Sequence, residues 1–188
     1  MKSQTNRVCP VERAGGLDTS FRRLTQNPRR ILKRYIREGM TVLDLGCGPG
    51  FFTLPMAEMV GPSGHVIAAD LQEGMLDIVR NKVHETPYEN RIICHLCQSD
   101  HTGITEKIDF ILAFYLVHEV PDQEELFNEF TGLLKPDGLV LVVEPPFHVS
   151  RADFRETLQK AQNAGLEMIQ RPFILLSRSM LLAHAPLN

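Results

Sequence analysis

A chain of 188 residues, 43% hydrophobic and 23% charged, has the size and balance of one ordinary folded domain and not of a disordered or fibrous protein. Its formal net charge of -3 offers no bulk attraction to nucleic acid, so nucleic-acid partners are not expected and any polyanion binding has to be local. No apolar stretch can span a bilayer, the start MKSQTNRVCPVERAGGL lacks the apolar centre of a signal peptide, and four unevenly spaced cysteines outline no disulfide framework; a cytoplasmic protein with reduced thiols and no membrane association is expected.

The first 26 residues are polar and irregular. Asn27 then supplies an N-cap with Pro28 at the first helical position, predicting a helix that runs to Arg37 with Ile31, Leu32, Tyr35 and Ile36 on one face and Gly39 at its end. Residues 42–45 read as a short buried strand. After three glycines, Phe52, Met56, Met59 and Val60 recur at helical spacing, with Pro55 tolerable because N–H groups of an opening turn lack intrahelical partners. Strand 65–70 and a helix carrying Met75, Leu76, Val79 and Val83 follow.

The alternation continues with strands at 91–98, 108–114 and 139–144. A helix over 121–134 opens with Pro121 and has Asp122, Glu124 and Glu125 in its first turn, where acids suit the macrodipole. Ser150 and Asp153 form a capping-box pattern for a last helix ending near Gly165, and strands at 166–170 and 175–182 close the chain. Short apolar strands alternating with helices predict a parallel sheet covered on both faces. The last two strands lack a helix between them, so one of them should run antiparallel.

In such sheets ligands bind beyond the carboxyl ends of the strands, and the first strand-to-helix turn is Gly46-Cys47-Gly48-Pro49-Gly50. A dinucleotide fingerprint G-x-G-x-x-G counted from Gly46 needs glycine at residue 51, which is Phe51. The pattern is instead D-x-G-x-G-x-G, starting at Asp44. A pyrophosphate is repelled by a carboxylate so near, whereas a ligand with an ammonium and a sulfonium is attracted. Asp70, twenty residues beyond Gly50, can accept two hydrogen bonds from a ribose diol. Plainer roles remain open: a tight turn for the glycines, and helix caps for Asp70 and Asp100.

VLDLGCGPG, the acid of AADLQ and the segment LLKPDGLVLVVEP resemble, in order, the first motif, the ribose-binding acid and the turn into the fifth strand of the class I S-adenosylmethionine-dependent methyltransferases. The resemblance extends from Pro28 to the final strand. It implies an α/β fold, Rossmann-like and doubly wound, with a seven-stranded sheet of order 3-2-1-4-5-7-6 and strand 7 antiparallel. It also implies that S-adenosylmethionine is the cofactor. Gly46, Gly48 and Gly50 would hold its methionine and ribose portion, with Asp44 near the amino group. Asp70 would hold the ribose hydroxyls, Asp100 would face the adenine amino group, and Leu71 would line the adenine pocket.

FYLVHEVPD, after the fourth strand, resembles the small-molecule branch of that family, including quinone-pathway methyltransferases, where a histidine pair often occupies the places of His118 and Glu119. These two are the catalytic candidates, and packing beneath the next helix is the plainer role for His118. Tyr115 and His148 are candidates for contact with the acceptor. EPPFHV invites comparison with the [DNS]PP[YFW] motif of amino-group methyltransferases, but it follows the fifth strand instead of the fourth and begins with the longer Glu144.

Cys94 and Cys97 form a CxxC, yet on a strand they point to opposite faces about 10 Å apart, which argues against a shared metal. Cys9 reads as a surface thiol, with a thiophilic ligand such as arsenite as the alternative. Arg22, Arg23, Arg29, Arg30, Lys33 and Arg34 concentrate positive charge without interleaved aromatic residues, which fits a solvated face better than an RNA site. The resulting expectation is a lid over residues 1–27 and one catalytic domain over 28–188, acting by displacement on a small-molecule acceptor. A protein or RNA methyltransferase and a non-catalytic S-adenosylmethionine-binding protein are the alternatives. A homo-oligomer is left open.

Overall fold

The computed structural model describes residues 26–186. The expected lid therefore lies outside the described residues except for its last two positions, as do Cys9, Arg22 and Arg23. The strands are β1 (Thr41–Leu45), β2 (His65–Asp70), β3 (Ile92–Leu96), β4 (Ile108–Phe114), β5 (Leu134–Glu144), β6 (Leu166–Gln170) and β7 (Arg178–His184). They form one sheet of order β3-β2-β1-β4-β5-β7-β6. Every pairing is parallel except those of β7, which runs antiparallel to both β5 and β6.

Among the described residues five α-helices cover the sheet: α1 (Pro28–Leu32), α2 (Thr53–Met59), α3 (Glu73–Val83), α4 (Gln123–Leu133) and α5 (Arg151–Asn163). Leu32, Met56, Leu76 and Val79, from α1, α2 and α3, pack on one face with Val42 and Phe110. Phe127, Phe130, Phe154 and Ala161, from α4 and α5, pack on the other face with Leu43 and Ile111. All five residues of β1 are buried, Thr41 and Asp44 included, which is why its sequence shows no regular alternation of apolar and polar residues. The doubly wound expectation holds.

Several boundaries differ from expectation, each for a local reason. Helix α1 stops at Leu32, where the chain tightens into a turn in which the Tyr35 N–H donates to the Leu32 carbonyl at 2.8 Å. Pro121 lies outside α4, whose N-cap is Asp122 accepting from the Glu125 N–H at 3.0 Å. Strand β3 ends at Leu96 because its partner β2 ends at Asp70, and those two residues are the last pair in register. Asp100 therefore lies beyond the strand it was expected to end. Strand β5 begins at Leu134, pairing Leu134 with Ile108 ahead of a bulge. Strand β7 begins only at Arg178, since Leu175 and Leu176 are half exposed and Leu176 has φ +55°. The capping box at Ser150 and Asp153 is present.

Candidate active site

The carboxyl ends of β1, β2, β4 and β5 open into a cleft of about 840 Å³. One wall is the glycine turn. Gly46, Gly48 and Gly50 have φ of +70°, +51° and +83°, left-handed values that only glycine adopts at little cost. A Cβ at Gly46 would also lie 2.8 Å from Leu116 Cδ1. The turn is pinned to β2: the N–H groups of Gly46 and Cys47 donate to the Ala69 carbonyl at 2.8 and 3.0 Å.

Asp70 completes that link, accepting the Gly48 N–H at 2.9 Å on Oδ2 and the Gln72 N–H at 2.9 Å on Oδ1. Burial raises its pKa, against the lowering effect of those backbone donors. Asp44 is 2% exposed and its Oδ2 accepts the Thr53 hydroxyl at 2.6 Å. Leu71 lines the cleft, half exposed. Asp100 also lines it, but from the bend after β3, with an exposed side chain bonded to His101 Nδ1 at 2.8 Å.

The opposite wall is made of side chains. His118 sits in the 3-10 turn Val117–Glu119 after β4, and its Nδ1 lies 2.5 Å from Oε2 of Glu144 at the end of β5. Its backbone N–H donates to the other carboxyl oxygen at 3.2 Å, and the Glu144 side chain is 1% exposed. Burial disfavours the charged imidazolium, but the hydrogen bond and charge of Glu144, with a contribution from Glu119, outweigh it, so the His118 pKa is raised. Burial, followed by the charges of Glu144 and Asp70 against that of His118, raises the pKa of Glu119. The His148 ring meets His118 edge to face with centroids 5.9 Å apart.

Tyr115 has φ +60°, a strained value for a bulky residue, costing about 1–3 kcal/mol. Its N–H extends the β4–β5 ladder to Val143 O at 2.7 Å. Its hydroxyl meets Gln26 Nε2 at 2.5 Å, Ser177 Oγ at 2.8 Å and Leu176 O at 3.1 Å. What Tyr115 presents to the cleft is therefore its ring, with the hydroxyl engaged elsewhere. Glu144 is the partner that local sequence patterns miss. Nothing at short range links it to His118, 26 residues away; only the sheet order, which sets the ends of β4 and β5 side by side, could have found it.

Cys94 packs against the α1–α3 side of the sheet and Cys97 belongs to the α4–α5 side, as their spacing implied. Burial pushes the Cys97 thiol up to about 12 and raises those of Cys47 and Cys94 as well. All three are free thiols. Among the described residues no helix is long and apolar enough to cross a membrane.

A family model described as a methyltransferase domain matches residues 36–173. The chain belongs to that methyltransferase family. It is 33% identical to the demethylmenaquinone methyltransferase of Lactobacillus johnsonii over 113 residues, which are 60% of this chain and 46% of that protein. It is 30% identical to that of Listeria welshimeri over 109 residues, 58% of this chain and 46% of that one. The chain thus spans about half the length of the curated relatives it matches. A SAM-dependent methyltransferase from Aquifex aeolicus superposes with a TM-score of 0.82 at 24% identity, covering 93% of this chain and 98% of that one. A TehB-like SAM-dependent methyltransferase from Corynebacterium glutamicum gives 0.72 at 16%, covering 93% and 100%.

S-adenosylmethionine is the cofactor of this family, and the cleft suits it. The three glycines put no side chain of the turn into this edge of the cleft, and the acids along this wall match a ligand with cationic centres and a sugar diol.

Proposed function

We propose that this chain catalyses methyl transfer from S-adenosylmethionine to a small-molecule acceptor. The observation that carries the reading is that one cleft is lined on one side by the glycine turn with Asp44 and Asp70, and on the other by the Glu144-anchored His118. When bound, the cofactor supplies a methyl group already activated on a sulfonium. The chain's task is then chiefly alignment of the reacting atoms, an effect of up to about 7–11 kcal/mol.

The turn at Gly46, Gly48 and Gly50 would cradle the methionine and ribose portion, with Asp44 toward the ammonium and Asp70 toward the ribose hydroxyls. Leu71 and Asp100 would meet the adenine. Both oxygens of Asp70 already accept a backbone N–H, but each keeps a lone pair for a diol. Across the cleft, a Glu144 carboxylate that accepts Nδ1–H fixes the neutral His118 tautomer with Nε2 as an acceptor, the arrangement a general base needs. Glu119 adds negative charge beside it, and Tyr115 and His148 would contact the acceptor.

The bond from Gln26 to Tyr115 supports a lid: it ties the start of the described chain to the cleft wall. The relatives' names favour a small acceptor over protein or RNA, and Glu119 stands where quinone-pathway members often carry a second histidine, so a quinone is not the only acceptor to test. Incubation with methyl-labelled S-adenosylmethionine and a fractionated cell extract tests the reading. Label in low-mass products is expected. Label confined to protein or RNA would reverse the acceptor class, and binding without transfer to any fraction would make the chain a sensor of the cofactor.

A further inference from the structure

A second cleft, of about 740 Å³, lies between α5 and residues 171–179 and is lined by Arg151, Arg155, Arg171 and Arg178. Its apolar walls include Phe154, Phe173 and Ile174. Among the described residues no acidic side chain lines it and none of these four arginines forms an ion pair. Arg151 and Arg155 are four residues apart on α5, a like-charge spacing that disfavours a helix on its own. The next cation of the same helix, Lys160, does have its acid, Glu156 at 3.0 Å. In a chain of net charge -3, such a cluster is a local arrangement and not a consequence of composition.

Two of the guanidinium groups are held in place. Arg178 donates from Nε to Val149 O at 3.0 Å, and Arg171 stacks 5.9 Å over the Phe154 ring. Planar guanidinium forks match the several oxygens of a tetrahedral anion, and more than two of them suit a dianion. Phe173 is 91% exposed at the same cleft, an apolar surface for the organic part of such a ligand.

We propose that this cleft binds the phosphate group of an organic ligand. The site is separate from the methyl-transfer cleft: the loop at Ser177, whose Oγ bonds to the Tyr115 hydroxyl at 2.8 Å, stands between them. Binding here requires no methyl donor, so it stands or falls apart from the methyl-transfer reading.

The test uses the full chain, the double variant Arg155→Gln/Arg171→Gln, and Arg34→Gln as a control for lost charge outside the cleft, each first shown to fold. One arm titrates inorganic phosphate by calorimetry. The other compares sedimentation with phosphatidylcholine vesicles with and without phosphatidylglycerol. The expected result is binding in at least one arm, weakened about tenfold or more in the double variant and unchanged in Arg34→Gln. Response to free phosphate identifies a soluble ligand, and response to phosphatidylglycerol alone identifies a lipid headgroup. Should the double variant fail to fold, Arg151→Gln carries the same comparison. Binding in neither arm, binding indifferent to the arginines, or arginine-dependent binding of a single-stranded RNA with no response in either arm would overturn the proposal.

Discussion

The two walls of the main cleft are built from different materials. The β1–β2 wall is mostly backbone: three left-handed glycines and a carboxylate that receives N–H groups from residues 48 and 72. The β4–β5 wall is a set of side-chain pairs joined across long stretches of sequence, His118 with Glu144 and Tyr115 with Ser177. A backbone cradle fits one fixed ligand and tolerates little change. Side chains on turns can be exchanged without altering the sheet, so under the proposed function this is the wall on which acceptor preference can change.

The comparison breaks first where the chemistry is placed. If His118 is the general base, His118→Ala lowers turnover by roughly 100-fold and removes a near-neutral titration from the rate profile, with cofactor affinity unchanged. Turnover that survives intact, or selective loss of cofactor affinity, would erase the division between the walls. On the backbone wall, Asp70→Ala weakens cofactor binding by roughly tenfold or more. It also destabilises the fold, by at most about 1–3 kcal/mol for each N–H left unpaired, since the Gly48 and Gln72 N–H groups are part-buried. Denaturant unfolding beside calorimetry separates the two effects; loss of affinity without loss of stability would mean that Asp70 does not hold the turn.

Glu144→Gln sharpens the second wall. In the wild type the imidazole of His118 titrates above its ordinary value of 6.5. Without the carboxylate, burial acts with much less opposition and the midpoint falls, as NMR titration of the ring would show. Because the folded-state value is raised, the stabilisation from this pair is complete below pH about 6.5 and is lost as pH rises through the folded-state value. The stability gap between wild type and Glu144→Gln therefore narrows with rising pH. A gap that widens would contradict the pairing. The smallest effect is expected at Asp100, exposed and bonded only locally: Asp100→Ala leaves the melting temperature unchanged and weakens cofactor binding by roughly threefold. Equal affinity would remove it from the adenine end.

The two walls also differed in how far they could be read. Gly46, Gly48, Gly50, Asp44 and Asp70 lie within 27 residues and follow from one strand, one turn and the end of the next strand, so local pattern was enough. The fold was legible for the same reason, since buried strands such as 65–70 and 108–114 appear as short, mostly apolar segments, broken only by His65, Asp70 and Asp109, with the bounds observed. The His118–Glu144 pair depends on β4 and β5 being neighbours, and the engagement of the Tyr115 hydroxyl depends on a loop 62 residues away. Neither leaves a short-range trace. Asp100 was misplaced because the length of an edge strand is set by its partner, β2, and not by its own apolar content.

Calorimetry on the full chain with S-adenosylmethionine, its demethylated product and NAD tests the central claim, that the Asp44–Asp70 wall receives a sulfonium nucleoside, most directly. Both sulfur nucleosides should bind and NAD should give no signal, because a pyrophosphate would be brought close to Asp44. Tight NAD binding with no heat from either sulfur compound would contradict it.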